Sequence, residues 1–119
     1  MISIHAFFTP FRLNIKWQKK VDLYIEMTNK TSEDKLIGFS FICHKNLNFG
    51  LTNINQKIVE KNSILKAGEK RKWYLDVSAR NVVKACALPI DIKVEEFYRN
   101  QNYPIKTYDK QLILSIDTQ

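Results

Sequence analysis

Apolar side chains fall at every second position through most of the first thirty residues: Phe11, Leu13, Ile15 and Trp17, then Val21, Leu23, Ile25 and Met27. Successive side chains of a strand point to opposite faces, so this spacing makes one apolar and one polar face. The beat returns in Ile37, Phe39, Phe41 and Cys43, in Trp73, Leu75, Val77 and Ala79, in Leu88, Ile90, Ile92 and Val94, and in Leu112, Leu114 and Ile116. No stretch shows an apolar stripe of helical period. The pattern predicts strands over residues 2–8, 11–17, 21–27, 35–43, 56–60, 71–79, 86–96 and 110–117.

Turn chemistry separates these segments. Pro10 divides the first two, the polar run Thr28 to Asp34 follows the third, and Lys66-Ala67-Gly68-Glu69 makes a tight turn before the sixth. Pro89 sits early in the seventh, where its missing N–H must point off the ladder or mark a bulge. With 119 residues, 45% hydrophobic content and only three glycines and three prolines, the chain is expected to form one domain, 1–119, with its own core. Seven to eight short strands of this kind describe an antiparallel β-sandwich.

Three stretches carry a family resemblance. Val21 to Thr31, Leu65 to Lys70 leading into Trp73-Tyr74-Leu75-Asp76-Val77, and Pro89 to Val94 resemble strands B, E and F of immunoglobulin-like modules, of the adhesion type found in archaeal and bacterial proteins. Where that family often opens strand F with Gly-x-Tyr, this chain has Val83-Lys84-Ala85-Cys86. The resemblance implies an immunoglobulin-like sandwich that binds through loops or sheet edges and is not an enzyme.

The net charge is +7, divided as +3 over residues 1–50, +5 over 51–86 and −1 over 87–119. A field of this sign favours nucleic acid, ribosomes, anionic membranes or acidic proteins as partners. The abundance of Ile, Lys and Asn also fits an AT-rich coding bias. Met1 to Pro10 has no cationic lead and no small-residue cleavage site, so it does not read as a signal peptide. The longest apolar run, Leu36 to Cys43, falls far short of the roughly twenty residues of a spanning helix. A cytoplasmic location is expected, or an extracellular one for a module excised from a surface protein.

The chemistry-bearing residues are few. Cys43 and Cys86 close the predicted C strand and open the F strand; they form a disulfide if their Cα atoms lie within about 7 Å, and otherwise are two small buried hydrophobes. Cys43, His44, Cys86 and His5 lack the paired spacing of a metal site. Adjacent Cys43 and His44 point to opposite faces, which rules against a nucleophile pair. Asp22, Glu26, Asp76 and Asp91 occupy the polar phase of their strands and should face water beside lysines. No phosphate-cradling loop or nucleophile elbow is present. No cofactor, metal or small-molecule substrate is expected. Asn29-Lys30-Thr31 matches the glycosylation sequon.

Two surfaces remain. The predicted F–G connection, Phe97 to Asp109, offers Tyr98, Arg99, Tyr103 and Tyr108 as contacts for a protein partner or a second copy. The alternative is a phosphate-binding surface around Lys66, Lys70, Arg71 and Lys72, within a basic set that also includes Lys57, Lys61, Arg80 and Lys84 and has Tyr74 nearby. A third reading, carbohydrate binding, rests on Trp17, Trp73 and the tyrosines, with both tryptophans in core phase.

Overall fold

The alternating segments become strands of two sheets. The structure, a computed structural model, describes residues 1–98 and 104–119. Among them are nine strands: β1 (Ile2–Thr9), β2 (Arg12–Asn14), β3 (Val21–Asn29), β4 (Lys35–Cys43), β5 (Leu47–Phe49), β6 (Lys57–Leu65), β7 (Lys70–Ala79), β8 (Cys86–Phe97) and β9 (Pro104–Asp117). A four-stranded sheet has the order β1-β3-β7-β5, and a five-stranded sheet the order β2-β9-β8-β4-β6. All pairings are antiparallel except that of β2 with β9, which is parallel.

The apolar phase of β3, β4 and β8 turns inward. Leu23, Ile25 and Met27 from one sheet share a single buried cluster with Ile37, Phe41, Ile90, Ile92 and Leu114 from the other. Trp73 spans the gap, its ring centroid 4.9 Å from that of Phe39 and 5.2 Å from that of Phe41, both near edge-on. Burying one such ring is worth about 2–3 kcal/mol, so this aromatic trio is a principal link between the sheets.

Several expectations change. The predicted strand 11–17 shrinks to β2, because the Asn14 carbonyl accepts the N–H groups of Trp17 and Gln18 and its side chain accepts that of Lys16. This turn throws Trp17 out of core phase: Trp17 and Phe11 are each 74% exposed. The segment expected at 56–60 runs on to Leu65, and the last strand begins at Pro104, so Pro104 to Asp109 of the predicted F–G connection pairs with β8. β5 was not predicted, since its three residues are all buried and show no alternation. Pro89 stays on the ladder opposite Ile113, and its carbonyl accepts the His44 N–H just past the end of β4. N–H and C=O of a strand residue point the same way, so the missing donor falls where β4 has ended.

Candidate interaction surface

Both ends of the sheets are tied by buried asparagines. Asn29 donates to the carbonyls of Glu33 (2.8 Å) and Leu65 (2.9 Å) and accepts from the Thr31 N–H and hydroxyl. It is wholly buried, so the sequon it opens is a structural clamp and offers no acceptor to a glycan. Asn48 donates to the carbonyls of Gly50 and Asn53 and accepts the Asn55 N–H, fixing the β5–β6 connection.

The basic set does not form one stripe. Lys57 and Lys61 lie on β6, Lys66 in the β6–β7 turn, and Arg80 and Lys84 beyond the far end of β7, roughly 30 Å from Lys70 at about 3.4 Å per residue. Lys70 and Lys72 are exposed on the outer face of β7, with Lys70 3.9 Å from Glu26. Arg71 has the opposite phase. Its guanidinium donates to Glu69 Oε2, Ser63 Oγ (2.6 Å) and the Ile64 carbonyl (2.7 Å), closing the β6–β7 turn. The turn is completed by Gly68 at φ +75° and by the Lys66 N–H, which donates to Glu69 Oε1. That backbone donor, reinforced by Arg71, holds the Glu69 carboxyl below its ordinary range.

Cys43 and Cys86 are free thiols. Cys43 stands opposite Ile90, four residues along β8 from Cys86, or roughly 13 Å at strand rise, so no bridge closes. Burial pushes the Cys43 thiol up to about 11, which keeps it protonated and unreactive at neutral pH. His44 Nδ1 accepts the Asn46 N–H. Among the described residues no group of three or more His, Cys, Asp or Glu is placed to hold a metal ion.

Of the predicted loop contacts, Tyr98 is 49% exposed, while Arg99 and Tyr103 lie outside the described residues. Tyr108 belongs to β9, pairs with Val94, packs against the core and carries Lys106 Nζ 5.2 Å above its ring.

A different surface emerges on the outer face of the four-stranded sheet. Register aligns Phe7, Tyr24 and Tyr74 side by side across β1, β3 and β7, with ring centroids 5.0 and 5.2 Å apart. His5 closes the row against Phe7 at 5.4 Å. Phe7 is 43% and Tyr74 73% exposed. Next to the row stand Glu26 and Lys72 on one side and Asp22 and Asp76 on the other, the two aspartates bridged by Lys20 Nζ at 2.6 and 2.8 Å. The hydrogen bonds to Asp22 and Asp76 hold the Lys20 ammonium above its ordinary range. The sequence signal for this row was three aromatics in the polar phase of their strands.

The row ends at an open edge. Met1 accepts the Lys30 N–H, which makes Met1 and Lys30 a hydrogen-bonded pair; alternation then turns the backbone groups of Ile2, Ile4, Ala6 and Phe8 away from β3. Among the described residues no strand pairs with β1 on that side, and β1 has no charged residue, no proline and no register shift. The opposite edge of the other sheet is guarded: β6 exposes Lys57, Glu60 and Lys61, and a register shift falls opposite Ile37 to Phe39 beside Asn62 at φ 56°. No protein-family model matches the chain, and no curated protein matches it in sequence.

Proposed function

We propose that the chain is a non-catalytic protein-interaction module, an immunoglobulin-like β-sandwich that takes an extended strand of its partner, or of a second copy, along the free edge of β1. One observation carries this reading: a long, uncharged, unbulged edge strand beside an exposed aromatic row. Main-chain hydrogen bonds to Ile2, Ile4, Ala6 and Phe8 would supply affinity, and His5, Phe7 and Tyr24 would read the partner's side chains. Tyr98, exposed at the start of the predicted F–G connection that also holds Arg99 and Tyr103, marks a second contact region in this reading, from which Tyr108 drops out because it packs against the core.

The strand order supports the immunoglobulin-like assignment. With β1, β3 and β7 as A, B and E, and β9, β8, β4 and β6 as G, F, C and C′, the two sheets have the pairings of a variable-type sandwich. β5 departs from that scheme, since it flanks β7 but precedes β6 in the chain. The phosphate-binding alternative around Lys66, Lys70, Arg71 and Lys72 draws less support, because Arg71 is spent on the turn and Lys70 lies beside Glu26.

Ala6→Pro tests the proposal. The Ala6 N–H points to the free edge, so proline there should leave the β1–β3 ladder and the melting temperature within a few degrees of the parent while blocking strand addition. The expected result is a protein partner, captured at high salt after nuclease treatment, that is lost with Ala6→Pro. Undiminished capture by a folded Ala6→Pro protein, or capture consisting only of nucleic acid, would overturn it.

A further inference from the structure

The two ends of the molecule differ. At one end lie the buried Asn29 clamp and the β6–β7 turn. At the other, the β2–β3, β4–β5, β5–β6 and β7–β8 connections converge, and Ile15, Lys19, Leu51, Ile54 and Arg80 line a common concavity of about 580 Å³.

This second end combines exposed apolar side chains with uncompensated positive charge. Trp17 is 74%, Leu51 53%, Ile54 70% and Val83 89% exposed, each in a connection and none in a sheet face. Lys16, Lys19, Lys45, Arg80 and Lys84 stand among them, and among the described residues none is in an ion pair. Of the nearby side-chain carboxylates, Asp117 pairs with Arg12, while Asp22 and Asp76 share Lys20, so the five cations face one carboxylate charge left over from these pairs. Lys16 Nζ sits 5.3 Å over the Trp17 ring, an amphipathic pair with its apolar body and its charge at one level.

We propose that this end docks on the surface of an anionic lipid bilayer. Cations on long stems reach the phosphate and carboxylate layer while the apolar tips enter the boundary of the acyl chains, and tryptophan is favoured at that depth. The aliphatic tips select lipid over nucleic acid: Leu51, Ile54 and Val83 have no ring to stack on a base, and strong single-strand binding needs stacking platforms along a basic groove. Docking is peripheral and leaves the β1 edge and the aromatic face free in solution. It rests on residues separate from those of the interaction proposal, so either can fail alone.

The test is flotation of the whole protein with phosphatidylcholine vesicles, with and without phosphatidylserine, followed through tryptophan emission. Binding is expected only with phosphatidylserine present, accompanied by a blue shift that Trp17→Phe removes. Lys19→Ala and Arg80→Ala should each weaken binding about five-fold, the equivalent of one cation near an anionic surface. Ile54→Ser with Val83→Ser should weaken it at unchanged charge. These positions are exposed, so circular dichroism should stay unchanged. Absence of binding to phosphatidylserine vesicles, or binding indifferent to Ile54→Ser with Val83→Ser, overturns the proposal. So does preferential binding to polyuridylate that depends on the cations but not on Ile54 and Val83, which would make this end a nucleic-acid surface.

Discussion

Asn29 shows how much one polar side chain can hold in a small β-domain. It continues the inward phase of Val21, Leu23, Ile25 and Met27, and its amide satisfies one carbonyl and two donors of the β3–β4 connection and the carbonyl of Leu65, the last residue of β6. Removing it leaves the Leu65 carbonyl buried without its partner. Asn29→Ala should therefore lower stability by about 3 kcal/mol in urea denaturation, whereas an exposed asparagine such as Asn53 should cost under about 0.5 kcal/mol. The sequence did mark this residue, since a polar side chain in core phase needs an internal partner; a sequon reading considers only three letters and misses the phase. Trp17 is the converse case. Its spacing fitted the core, yet the backbone turn at Asn14 carries it to the surface.

At the scale of elements, the strands were legible where burial alternates and obscure elsewhere. β3, β4 and β8 each bury one face, so period two names them. β5 buries all three of its residues, and the first part of β9 exposes nearly all of its own, so neither displays a period. Polar content made Pro104 to Asp109 read as a loop, but pairing with β8 makes it strand. The β6–β7 turn was legible through Gly68, while the role of Arg71 was not, because its bonds reach back across the turn to Ser63 and Ile64. Glu69 gives this element a pH dependence. Its folded pKa lies below the ordinary value of 4.5, so its stabilisation is present above about pH 4.5 and is lost as pH falls through the folded value. With the side chain 30% exposed, Glu69→Gln should cost roughly 0.5 kcal/mol at neutral pH. The difference from the parent should shrink in acid; a constant difference across pH would remove the charge from the explanation.

For the whole molecule, the decisive contacts are those between sheets. Phe41 is fully buried and meets Trp73 from the opposite sheet, so Phe41→Ala should cost about 4 kcal/mol, with tryptophan emission and far-ultraviolet dichroism still changing in one transition. Separate transitions would mean that the sheets are not one cooperative unit. The alternation of side chains is a local property of the backbone, and it alone determined an all-β chain, the inward face of β3, β4 and β8 and most strand limits. Which strands pair, and in what register, depends on contacts distant in sequence. Tertiary structure therefore decided that Phe7, Tyr24 and Tyr74 form one row, that β1 ends a sheet with its edge open, and that Cys43 and Cys86 stay apart. It also divided a basic set contiguous in sequence between the two ends of the fold, because a strand of ten residues carries consecutive charges from one end of a sheet to the other.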